Sequence, residues 1–125
     1  MKIIHTADLH LGMYPDKGHP WSTERHDALW DALRRIIRRA EDEQAELLLI
    51  AGDLFHRQPL LRELREAAAL FSSLSRTRVV LIAGNHDYLS ARSRYRDFVW
   101  GDNTFFLADP TLSSVCFPDL NVEIH

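Results

Sequence analysis

The chain is short of cysteine, lysine and long apolar runs, and each shortage narrows its chemistry. Its single cysteine, Cys116, cannot close an internal disulfide, which fits a reducing compartment. No apolar stretch approaches the ~20 residues of a membrane-spanning helix. A strand begins almost at the first residue, so no signal peptide is expected, and the reading is a cytoplasmic protein without a membrane partner. The formal net charge of −3 offers no global attraction to nucleic acid or lipid. Lysine occurs only at Lys2 and Lys17. That excludes a phosphoacceptor receiver domain, which needs a lysine on a late strand and an acidic pair after the first one. Low-complexity segments and linkers are absent, and 125 residues suffice for one compact domain.

What is present is a repeated pattern. Lys2-Ile3-Ile4-His5-Thr6-Ala7 runs into Asp8-Leu9-His10. Leu47-Leu48-Leu49-Ile50-Ala51 runs into Gly52-Asp53, and Val79-Val80-Leu81-Ile82-Ala83 into Gly84-Asn85-His86-Asp87. Short β-rich runs closed by glycine read as buried strands of a parallel sheet. Ligands bind at the carboxyl edge of such sheets. Here that edge receives a metal-ligand inventory.

Between the strands lie two amphipathic segments. Ser22 is the expected N-cap of a helix whose stripe is Leu29, Leu33, Ile36, Ile37 and Ala40. Pro59 suits the first turn of a second helix, striped by Leu60, Leu64, Ala67, Phe71 and Leu74. The order β-α-β-α-β implies right-handed crossovers and an α/β fold. Beyond Asp87, a short helix is expected in 91–100. Short strands are expected near 104–108, 112–117 and 120–124, with turns at Asp109-Pro110 and Pro118-Asp119.

Residue by residue, the strand ends offer distinct chemistry. If the first strand persists, Asp8 and His10 share a face and can hold one ion; the plainer reading of Asp8 is a cap or loop aspartate. Asp53 has two oxygens and can bridge two cations, or can serve turn chemistry alone. Asn85 offers a neutral carbonyl oxygen suited to an ion such as Mn²⁺, or a left-handed backbone. His86 beside Asp87 can be held in one tautomer and act on a leaving oxygen. His56 is balanced between a phosphate contact and a surface histidine. His5 and Cys116 read as packed residues, and His19 and His26 as solvated ones. Arg34, Arg35, Arg38 and Arg39 read as a charge-paired helix face. Arg57, Arg92, Arg94 and Arg96 follow the site loops and are the better phosphate candidates. Tyr88, Tyr95 and Trp100 are candidates for base stacking or for the core, with core favoured for Trp100.

Asp8-Leu9-His10, Gly52-Asp53 and Gly84-Asn85-His86-Asp87, in this order, resemble the calcineurin-like metallophosphoesterases. His5 to Gly12 and Gly52-Asp53-Leu54-Phe55-His56 resemble their DNA-repair nuclease branch, the SbcD type. The resemblance covers about residues 1–100. It implies a β-sandwich flanked by helices, of which the β-α-β-α-β sheet is the N-terminal half. It further implies two divalent ions, Mn²⁺ first, with Mg²⁺ or Fe²⁺ as alternatives. Asp8 and His10 would hold one, Asp53 would bridge both, and Asn85 would hold the second. His86 would act on the leaving group, Asp87 would support His86, and His56 would lie near the substrate phosphate. DNA would be the substrate of an exonuclease, an SbcC-like coiled-coil ATPase the partner, and residues 60–74 and 91–100 the candidates for a homodimer contact.

The family completes its metal shells with later histidines ending in Gly-His-x-His, which this chain lacks. Residues 1–125 are therefore expected to be the N-terminal portion of a nuclease domain. The competing expectations are an inactive fragment or interaction module, and another phosphoesterase such as a nucleotide phosphodiesterase or a phosphatase.

Overall fold

A computed structural model describes residues 1–109 and 111–125, so the expected Asp109-Pro110 turn lies partly outside the described residues. The elements are β1 (Ile3–Thr6), α1 (Ser22–Asp42), β2 (Leu47–Ala51), α2 (Leu61–Ser72), β3 (Arg78–Ile82), α3 (Arg94–Asp97), β4 (Thr104–Phe106), β5 (Val115–Phe117) and β6 (Val122–Ile124). Strands β1 to β4 form one parallel sheet in chain order. Chain order means that every crossover steps in the same direction. Right-handed crossovers then put the connecting helices on one face.

The period-two alternation of the strands divides the apolar residues between two clusters. Leu48, Ile50, Val79 and Leu81 face the helices and pack with Leu33, Ile37 and Ala40 of α1 and Leu64, Ala67 and Phe71 of α2. Leu47 and Val80 face the other way and meet Phe117 of the antiparallel β5–β6 hairpin. One core is thus sheet against helices, and a smaller one is sheet against hairpin. No helix among the described residues is long and apolar enough to cross a membrane.

Several local expectations are corrected by this topology. His5 is exposed because it lies on the side of β1 opposite the helices, where Ile4 packs. Cys116 is exposed because its neighbour Phe117 takes the inward position of the hairpin. Ser22 is the first residue of α1 rather than its cap; Trp21 occupies the cap position, and the Ser22 N–H donates to the His19 carbonyl. α2 starts at Leu61, two residues after Pro59, and Leu60 is exposed rather than part of the stripe. The cap there is carboxylate chemistry: Glu63 accepts the Leu60 N–H at 2.8 Å. His26 is half-buried, bonded through Nδ1 to the Met13 carbonyl and stacked on Tyr14, so it is not simply solvated. The expected helix in 91–100 shrinks to the single turn Arg94–Asp97.

The charged helix face is paired in part: Arg34 meets Asp31 and Glu66, and Arg39 meets Glu43, whereas no ion pair is formed by Arg35 or Arg38 among the described residues. Further along α1, the Glu41 carboxylate accepts the hydroxyl and N–H of Ser75, tying the end of α1 to the turn before β3. Those bonds, the hydroxyl first, lower the Glu41 pKa. A depressed carboxylate stabilises the fold above its unfolded pKa and loses that contribution as pH falls through the folded pKa. Glu41→Gln should therefore flatten the dependence of urea stability on pH below about 4.5 while leaving it unchanged near neutrality. An identical acid slope in the variant would show that the Ser75 link contributes nothing.

Candidate metal centre

The site is built where the strands stop. β1 ends at Thr6, and Asp8 and His10 then take left-handed backbone conformations, with φ of 55° and 50°. Asp53 does the same after β2, with φ of 49°. The extended geometry expected to align Asp8 and His10 does not persist. Left-handed turns do that work instead, leaving Asp8 Oδ1 4.0 Å from His10 Nε2. Each such turn costs a non-glycine residue about 1–2 kcal/mol, and aspartate tolerates it better than histidine. Backbone pairing between the two loops offsets the cost. Asp8 N–H donates to Gly52 O, His10 N–H to Asp53 O, Leu11 N–H to Leu54 O, and His56 N–H back to Leu11 O. The sheet is in effect prolonged past its strands, closing with a bridge between Leu11 and Phe55.

The loop after β3 is locked onto the loop after β2. Asp87 is fully buried, and its Oδ1 and Oδ2 accept the Gly84 N–H at 2.7 Å and the Phe55 N–H at 3.0 Å. Asp53 Oδ1 accepts the His86 N–H at 2.8 Å. Gly84 is required by contact: a Cβ there would stand 2.1 Å from Asp53 Oδ1 and 2.5 Å from Asp53 N. Asn85 is exposed between these two anchored residues.

Two sets of donor atoms result. Asp8, His10 and Asp53 place ligand atoms within 4.8 Å of one another, as do His10, His56 and His86. The first set mixes carboxylate and imidazole, a donor chemistry that fits a hard or borderline divalent ion. Asp53 is buried, His10 half-buried and Asp8 exposed, so an ion held there keeps an open side. His56 and His86 stack 5.0 Å apart, and the His86 Nδ1 lies 3.2 Å from the His56 carbonyl. That corrects the expected support of His86 by Asp87. Both Asp87 oxygens serve backbone N–H groups, and the residue positions the loop rather than the imidazole.

Burial is the first influence on the ionisation of this region. It pushes the His56 imidazole below its usual range, with His10, His86 and Arg57 acting the same way and Asp53 opposing them. It raises the Asp87 carboxyl, against the pull of the Gly84 and Phe55 N–H groups. It raises the Tyr95 phenol well above its ordinary value, with Asp87 and Asp53 adding to the shift. Tyr95 is fully buried against Phe55 and Phe106, so it is a core residue and not a base-stacking one. Trp100 packs on the same cluster, whereas Tyr88 is exposed.

Arg57 is committed elsewhere, donating through two nitrogens to Glu63 at 2.9 and 3.0 Å. Glu63 escapes a reading of the sequence for site residues, although an acid three residues after a helix cap is a recognisable signal. Arg92, Arg94 and Arg96 are exposed on the segment after the Asp87 loop.

A parallel sheet whose first three strands deliver aspartates and histidines to one edge makes a candidate metal centre. The chain belongs to the calcineurin-like phosphoesterase family, whose model matches residues 1–122. Among similar proteins, the DNA double-strand break repair protein Mre11 of Archaeoglobus fulgidus is 37% identical over 93 residues, covering 72% of this chain and 20% of that protein. The D component of the nuclease SbcCD of Bacillus subtilis is 38% identical over 91 residues, covering 70% of this chain and 22% of that component. The chain therefore spans about a fifth of the length of the curated relatives it matches.

Replacing Asp87 by alanine strands two N–H donors, one buried (Phe55) and one part-buried (Gly84). Each costs about 1–3 kcal/mol, partly offset by removing a buried charge. Asp87→Ala should lose about 2–4 kcal/mol in urea denaturation, and Asp87→Asn, which keeps one acceptor, should lose less. Equal losses in the two variants would argue against the clamp.

Proposed function

We propose that this chain carries the substrate-side metal cradle of a phosphodiesterase of the DNA-repair nuclease type. The observation that carries the reading is the convergence of Asp8, His10 and Asp53 within 4.8 Å at the carboxyl edge of the sheet. The likeness to proteins named for nuclease and break-repair roles supports DNA as the substrate. Asp8 and His10 would hold one divalent ion, Asp53 would bridge to a second, and Asn85 would face the second. Bound divalent ions of this kind supply Lewis acidity and a water of lowered pKa.

The chain's own residues then perform the remaining tasks. Asp53 is fixed by the His86 N–H at one oxygen, so its other oxygen is oriented rather than free to rotate. His86, exposed and tethered through Nδ1 to the His56 carbonyl, presents its second nitrogen to a phosphate or a leaving oxygen. His56, biased toward the neutral form, lines the same opening. Mn²⁺ is the ion proposed, because carboxylate, amide and imidazole donors suit it. A cytoplasmic setting, an SbcC-like coiled-coil ATPase partner and a homodimer contact through 60–74 and 91–100 complete the reading.

A second reading is favoured by one observation. The first ion has three candidate protein ligands, whereas the second has only Asp53 and Asn85. A chain with one filled shell would act as a fragment or interaction module rather than as a nuclease. Calorimetry with Mn²⁺ separates the two, alongside hydrolysis of linear DNA and of bis-p-nitrophenyl phosphate. Two ions with measurable cleavage support the enzyme. One weak ion with no cleavage supports the module. Within the first reading, Asp53→Asn should abolish binding of the second ion and weaken the first by about tenfold or more. His86→Ala should lower turnover by about 10²–10⁴-fold with little change in Mn²⁺ affinity. A variant that loses metal and keeps turnover per bound metal would make His86 a ligand.

A further inference from the structure

Three imidazoles crowd this edge of the sheet, and the donor set proposed above uses only one of them. His10 stands on the loop after β1, His56 on the loop after β2 and His86 on the loop after β3. Their ring centroids are 4.8 Å apart for His10 and His86, 5.0 Å for His56 and His86, and 5.4 Å for His10 and His56. One ring nitrogen from each lies within 4.8 Å of the others. The His56 and His10 Nδ1 atoms face each other at 3.4 Å, a spacing that a single proton or a shared cation can satisfy. With its Nδ1–H donated to the His56 carbonyl, His86 carries its lone pair on Nε2. That carbonyl is the kind of outer partner that fixes a metal-binding histidine in one tautomer. The buried Asp53 carboxylate, bonded to the His86 N–H, supplies negative charge beside the three rings.

We infer that His10, His56 and His86 form a three-nitrogen site for a borderline transition ion of the Zn²⁺, Cu²⁺ or Ni²⁺ kind, distinct in its donors from the oxygen-rich set. Imidazole selects such ions, whereas carboxylate and amide oxygens select Mn²⁺ and Mg²⁺. Three protein nitrogens leave a fourth position open to water or a phosphate oxygen. His10 belongs to both sets, with Nε2 4.0 Å from Asp8 Oδ1 and Nδ1 3.4 Å from His56 Nδ1; a neutral imidazole has a single lone pair, so it can serve only one set at a time. An ion in the nitrogen site therefore excludes Mn²⁺ from the Asp8–His10–Asp53 set; this competition rests on the phosphoesterase reading, whereas the nitrogen site rests on geometry alone.

The test uses the intact chain and Zn²⁺, Mn²⁺ and Cu²⁺ salts. His56→Ala should weaken Zn²⁺ binding by about tenfold or more in calorimetry and change Mn²⁺ binding by less than about threefold. Asp8→Asn should do the reverse. The electron paramagnetic resonance spectrum of the Cu²⁺-loaded chain should show coupling to three nitrogens, and to two in His56→Ala. Zn²⁺ affinity indifferent to His56→Ala, or a Cu²⁺ spectrum dominated by oxygen donors, overturns the nitrogen site. Should His56→Ala fail to fold by circular dichroism, His86→Ala, which alters an exposed ring, decides on the same criteria. Wild-type chain that binds Zn²⁺ through the histidines but takes no Mn²⁺ would refute the oxygen-rich reading while upholding the nitrogen site.

Discussion

Two backbone N–H groups from different loops, those of Gly84 and Phe55, end on the same buried carboxylate, that of Asp87. Phe55 is itself bridged to Leu11, which lies next to His10. Through this chain of contacts Asp87 registers all three strand-end loops against one another. The return contact is the His86 N–H on Asp53. Neither interaction works unless the loops approach closely, and Gly84 permits that approach because a Cβ would overlap Asp53. The edge is therefore an interlock of backbone and acid, and the candidate ligand side chains are placed by it.

This dependence explains which features are legible in the sequence. Leu47–Ala51 and the Val79–Ile82 run are apolar on both sides, one face packed on the helices and the other partly covered by the hairpin, and such runs stand out in a polar chain. Their ends are marked by Gly52 and Gly84, each followed by a polar residue. The candidate donors Asp8, His10, Asp53, Asn85 and His86 stand out because all fall within three residues of the ends of three similar runs, with Asp53 and Asn85 at the same offset. Leu33, Ile37, Leu64 and Phe71 can be read from helical spacing.

What is illegible follows from information that local patterns do not contain. His5 and Cys116 each alternate with apolar neighbours, yet both are exposed; which side of a strand is covered depends on where the helices and the hairpin pack. The left-handed backbone at Asp8 and His10 has no periodicity, and aspartate tolerates it without a glycine to announce it. Adjacency points Asp87 at the neighbouring imidazole, because adjacency is all a sequence displays. Its true partners are 32 residues away at Phe55 and three away at Gly84, and both are backbone groups without a side-chain signature.

The electrostatics of the edge lean one way. Burial raises the Asp87 carboxyl and lowers the His56 imidazole, so both groups are biased toward their neutral forms. A neutral imidazole has a lone pair to give, which a protonated one lacks, and metal ligands must be in that state. Asp53 is buried as well, and it keeps one oxygen on a backbone donor. A buried carboxylate is costly unless positive charge is brought to it. Burial thus disfavours a proton on His56 and leaves its lone pair beside the rigidly held Asp53 carboxylate. Arg57, the arginine next to His56 in the chain, is paired with Glu63 through two nitrogens and brings no free guanidinium of its own to the edge.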